Sequence, residues 1–118
     1  MKFQQRVQSW LMATFSMDVC RDQQERCHRL IEETLELVQS LGMTASDAHL
    51  LVDYVFNRPI GEPAQEVGGV MNTLAALCNA VDIDMEMAGD AELTRCWKNI
   101  EKIRTKHALK PKFGPLPT

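Results

Sequence analysis

The glycines and prolines of this chain fall in a few narrow clusters, and that distribution constrains the fold more than any other feature. Gly42 stands alone. Pro59, Gly61 and Pro63 follow, then Gly68 and Gly69, then Gly89, and finally Pro111, Gly114, Pro115 and Pro117. The stretches between them are long enough for helices and carry helical periodicity. Residues 3–16 place Phe3, Val7, Trp10, Leu11 and Phe15 at steps of three and four, the pattern of an amphipathic helix. A second helix is expected over 18–41, with Asp18 as its N-cap and Gly42 as its stop. Thr44 or Ser46 caps a third over 46–56, and Pro63 suits the first turn of a fourth over 63–81. A fifth is expected over 90–107. The Val/Tyr/Val/Phe content of residues 50–56 makes that stretch the only competitor for a strand. The expectation is an all-α fold of about five helices in a single domain, 1–118, with 108–118 an extended basic, proline-containing tail.

Composition narrows the function classes. The chain has 118 residues, 45 % of them hydrophobic, enough for one core. No apolar run approaches the ~20 residues of a membrane span, and the opening MKFQQRVQSW carries no secretory-signal pattern. Cys20, Cys27, Cys78 and Cys96 form no C-x-x-C pair, so reduced thiols and a cytoplasmic setting are expected. His28, His49 and His107 show no metal-ligand spacing. The formal charge is −3 but uneven: residues 98–118 hold six Lys/Arg and one Asp/Glu, against seven and fifteen in 1–97. A nucleic-acid-coating protein is disfavoured by the acidic body, whereas the basic end suits either a helix C-terminus or a polyanionic small ligand.

The carboxylates carry the chemistry. Within LIEETLELV, at about 100° per residue, Glu33 falls about 40° to one side of Arg29, Glu36 about 20° to the other and Glu32 about 60°. Leu30, Ile31, Leu35, Leu37, Val38 and Leu41 take the rest. Taken alone, this is a solvated polar face. Glu66 differs, because it heads a stripe of Val70, Thr73, Leu74 and Leu77 in which a buried charge needs a partner. The opposite flank carries Gly68, Gly69, Asn72, Ala75, Ala76 and Asn79, small or polar residues that suit close approach of another backbone. Carboxylates from two helices facing across a bundle make an all-oxygen site for Mg²⁺ or Mn²⁺, and such ions retain water and bind phosphate. No P-loop, G-x-G-x-x-G or serine elbow is present.

The run Glu32-Glu33-Thr34-Leu35-Glu36, followed by Glu66-Val67-Gly68-Gly69, resembles the EExxE…ExxD signature of the all-α nucleoside triphosphate pyrophosphatases, the MazG-like superfamily. The phrases RCHRLIEETLELVQSLG, DYVFNRPIGEPAQEVGGVMNTLAALC and KPKFGPLP resemble a phage-associated dATP/dGTP diphosphohydrolase branch, the MazZ type, over roughly residues 18–117. The resemblance implies a MazG-like helical bundle assembled as a homo-dimer or homo-tetramer. It also implies hydrolysis of a (deoxy)purine triphosphate, dGTP foremost, to monophosphate and pyrophosphate, in phage modified-purine nucleotide metabolism and hence in a host cytoplasm. Matched by position, it makes Glu33, Glu36 and Glu66 metal ligands, with Glu32 orienting them or a water. Gly69 stands where the signature has its aspartate, and Asn72, Glu62 or water is the substitute ligand. Arg26, Arg29, Lys98 and Lys102 are the phosphate contacts this scheme offers, and Trp10 or Phe15 the base-stacking aromatic. No nucleic-acid partner is expected. The alternatives are a non-catalytic helical interaction module and a general nucleotide pool-cleaning pyrophosphatase.

Overall fold

A computed structural model describes residues 1–110, and every described element is helical: α1 (Phe3–Thr14), α2 (Met17–Arg21), α3 (Gln23–Ser40), α4 (Ala45–Phe56), α5 (Pro63–Ala80), α6 (Met85–Lys98) and α7 (Ile100–Leu109). Residues 50–56 lie in α4, so the competing strand does not form. Among the described residues no helix is long and apolar enough to cross a membrane. Of the tail expected from residue 108, the first two residues complete α7, and 111–118 lie outside the described residues.

Seven helices replace the expected five because two polar residues interrupt apolar periodicities that run on past them. At Asp22 the backbone turns extended (φ −72°, ψ 104°), and its Oδ1 accepts from the Glu25 N–H at 3.1 Å, so Asp22 opens α3. Asp18 lies inside the short α2, which Ser16 caps by accepting from the Val19 N–H. At Asn99 (φ −124°, ψ 31°) the side-chain amide donates to the Arg95 carbonyl at 2.8 Å, the local side-chain-to-backbone bond that competes with helix continuation. α6 begins at Met85, five residues before the expected start, because Asp82 takes the left-handed conformation (φ 58°) after α5 and the chain re-enters helix directly. Gly89 therefore sits within α6, and the Phe3 ring fills the space where its Cβ would be, at 3.1 Å. Other signals hold: Gly42 stops α3 at φ 99°, Thr44 accepts from the Asp47 N–H, and Pro63 occupies the first turn of α5.

The described residues fall into two compact units, 1–31 with 86–110 and 32–85. In the first, α1 runs in the same direction as α6 and α7. Phe3 meets Gly89, Arg6 pairs with Asp90 at 2.7 Å, and Arg104 donates to the carbonyls of Thr14 (2.7 Å) and Ala13 (3.2 Å). Arg104 thereby caps the C-terminus of α1 with a cation, where the helix dipole is negative. Thr14, Cys20, Glu25 and Leu93 are buried. Glu25 is the unusual member, a carboxylate 8 % exposed, and it lies among two arginines and a histidine. Its Oε1 lies 2.8 Å from His107 Nε2, 3.2 Å from Arg29 Nε and 3.9 Å from Arg26 Nη2. The Phe15 ring tilts against His107 at 4.7 Å, with Trp10 edge-on at 6.2 Å and the Arg26 guanidinium 5.9 Å from its centroid.

The second unit is built differently. α4, α5 and the end of α3 carry no buried residue, and apolar side chains lie open on α4 and on the segment after it: Leu50 is 65 % exposed, Phe56 83 % and Ile60 100 %. Of the stripe headed by Glu66, Val70, Thr73 and Leu74 are exposed and Leu77 is half-buried; Glu66 itself is exposed, contrary to the buried charge its position suggests. The close backbone approach expected at Gly68 and Gly69 is likewise not made, since a Cβ at either would meet nothing within 4 Å.

Glu25→Ala removes the shared partner of Arg26, Arg29 and His107 from the half-buried cluster they form. A loss of about 3 kcal/mol in urea-unfolding free energy is expected.

Candidate metal centre

The carboxylates of Glu32, Glu33 and Glu36 on α3 form one group. Each contributes an oxygen, and these oxygens all lie within 4.8 Å of one another. The helix makes this arrangement unaided, because Glu36 lies four residues after Glu32 and three after Glu33, the spacings that bring side chains together on one helix surface. Glu32 is half-buried, and Glu33 and Glu36 are exposed. Like charges at these spacings destabilise a helix by about 0.2–0.5 kcal/mol per pair. A divalent cation removes that repulsion, and an all-carboxylate donor set suits the hard ions Mg²⁺ and Mn²⁺ better than softer metals. The three carboxylates could hold such an ion, although exposed acidic groups of this kind are common without one.

The remaining site residues divide between roles. Glu66, in the first turn of α5, is not one of the three clustered carboxylates. Glu62 is the N-cap of α5, its Oε1 accepting from the Ala64 N–H at 3.2 Å and its Oε2 from the Gln65 N–H at 2.9 Å. These bonds to Gln65 and Ala64 hold its carboxyl below the usual carboxylate range. Asn72 is exposed on α5, and Gly69 has open space where a side chain would stand. In the other unit, Arg26 and Arg29 face Glu25, and Trp10 packs on Phe15. Lys98 ends α6, and Lys102 is exposed on α7. Sequence reasoning overlooked His107, whose tie to Glu25 spans 82 residues. The available signal was a glutamate one turn before an arginine, which by itself describes any helix surface.

Comparison with protein-family models, with curated proteins and with solved structures found no match.

Because accepting two backbone N–H bonds favours the charged form of Glu62, its stabilisation of α5 is complete above the ordinary carboxylate pKa and disappears as pH falls through the lowered folded-state value. Glu62→Ala is expected to reduce the melting temperature at pH 7. The gap to wild type should close on acidification below the carboxylate range, as followed by circular dichroism at 222 nm.

Proposed function

We propose that this chain is a metal-dependent nucleoside triphosphate pyrophosphohydrolase of the MazG-like kind, acting on a purine deoxynucleoside triphosphate, dGTP foremost, to give the monophosphate and pyrophosphate. The observation that carries the reading is the convergence of Glu32, Glu33 and Glu36 on α3. It is supported by the all-helical fold and by the run of residues that resembles the superfamily signature. In this reading Glu33 and Glu36 would hold the ion, Glu66 would join them from α5, and Glu32 would orient its neighbours. When bound, Mg²⁺ or Mn²⁺ acidifies water and carries the negative charge that develops on the phosphates. The chain's own part is positional: α3 presents the carboxylates of Glu32, Glu33 and Glu36 as one group, and Glu66 would have to be brought to it from α5.

The working form is a homo-oligomer, a dimer or tetramer. The support is the unit of residues 32–85, whose α4 and α5 apolar side chains are exposed among the described residues. Bundles bury such faces by association. The same exposed face favours a second reading, a non-catalytic interaction module whose glutamates serve solubility alone.

Several measurements separate these readings. Incubation of the eight common nucleoside triphosphates with Mg²⁺ or Mn²⁺ should release pyrophosphate, fastest from dGTP, and Glu33→Gln should abolish release without loss of helicity. Release of orthophosphate overturns the reaction assignment, and equal rates across bases indicate a general pool-cleaning enzyme. Calorimetry with Mn²⁺ and a non-hydrolysable triphosphate should give heat, whereas the interaction module gives none. Because residue 69 has open space, Gly69→Asp should fit without steric penalty and tighten Mn²⁺ binding. Light scattering should report a particle of at least twice 13.4 kDa.

A further inference from the structure

Residues 32–85 hold nine Asp/Glu and a single cation, Arg58, which forms an ion pair with none of them among the described residues. Its guanidinium instead lies 4.4 Å from the Tyr54 ring centroid, with Nη1 donating to the Tyr54 hydroxyl at 3.3 Å. The chain still turns at this point, since the Arg58 N–H donates to the Val55 carbonyl at 3.1 Å, so Arg58 meets Tyr54 as residues four apart meet on a helix surface. Tyr54 is more than half exposed, and so are Leu50 and Leu51 one turn before it. Asp47 stands a further turn back, exposed in the first turn of α4, and its carboxylate makes no ion pair among the described residues. Counted from Asp47, the two leucines follow at three and four residues, Tyr54 at seven and Arg58 at eleven. The five therefore share one stripe, with an acid at its start and a base just past the end of α4.

We propose that α4 packs antiparallel against α4 of a second copy of this chain across a two-fold axis, with Asp47 of each copy facing the partner's Arg58. This rests on the homo-oligomer reading given above and names the contact that makes it. Charge complementarity in register is what commits the stripe to a second copy. Antiparallel pairing centred between Val52 and Asp53 sets Leu51 opposite the partner's Tyr54 and, at the ends, Asp47 opposite the partner's Arg58. A two-fold contact makes both ion pairs at once, because each copy supplies the acid of one and the base of the other. Apolar side chains then fill the middle and the charges close the rim, as in protein interfaces generally. The Tyr54 ring holds the guanidinium in place before association, which reduces the ordering that pairing requires.

Sedimentation velocity of the full-length chain over a dilution series tests this with Asp47→Lys and Arg58→Glu, alone and mixed. Each single variant sets like charges together at both ends of its own pair and should raise the dissociation constant about tenfold, as two exposed attractions become repulsions. A 1:1 mixture should restore association, because the mixed pair has one native contact and one in which acid and base are exchanged. Leu51→Glu should weaken association alone and in either mixture. Circular dichroism should show equal helicity throughout. An oligomeric wild type whose variants associate as it does overturns the α4 contact and leaves the homo-oligomer reading standing. Weakened single variants whose mixture stays dissociated also overturn it, by showing that Asp47 and Arg58 do not face each other between copies. A monomeric wild type overturns the homo-oligomer reading and this contact together, and leaves the stripe to a partner other than this chain.

Discussion

A carboxylate withdrawn from water is tolerable only among cations, and Glu25 shows what that requirement organises. It lies in the first turn of α3, where its charge already complements the helix N-terminus, and it gathers Arg29 and Arg26 from its own helix and His107 from α7. His107 in turn supports Phe15, against which Trp10 packs edge-on. Arg104, three residues before His107, closes the end of α1. With four buried residues among those described, this unit is organised as much by directed polar contacts as by apolar packing. Arg26 and Arg29 accordingly have a structural duty that a surface reading of their charges does not suggest.

The unit of residues 32–85 follows the opposite logic. Its helices are well begun and well ended, by Thr44 at α4, by Glu62 and Pro63 at α5, and by Gly42 after α3. Local capping defines where each helix runs, while the apolar faces so presented are left uncovered. The carboxylate group belongs to this unit, and its geometry is a property of one helix and its register.

That register is why the carboxylates were legible in the sequence. Glu32, Glu33 and Glu36 converge because a helix repeats every 3.6 residues. Gly42, Thr44 and Pro63 were legible for a similar reason, since each acts through backbone chemistry confined to its own turn. The breaks at Asp22 and Asn99 were not. Both residues fit the polar side of an amphipathic pattern, and their ability to bond a nearby backbone group emerges only when the helix yields to it. Asp82 hid the start of α6 because a turn usually marked by glycine is made there by aspartate. Glu25 carried no expectation, because the contact with His107 that helps to bury it spans 82 residues. Glu66, heading an apolar stripe, reads as buried, yet among the described residues it and most of that stripe are exposed.

The open space at residue 69 bears on how such a site changes through descent. No described neighbour lies within 4 Å of a Cβ there, so exchange between glycine and an acidic residue meets no steric opposition among the described residues. Every glycine codon is a single base from one for aspartate or glutamate. A carboxylate at this position is therefore one mutational step away, with no described packing partner to oppose it.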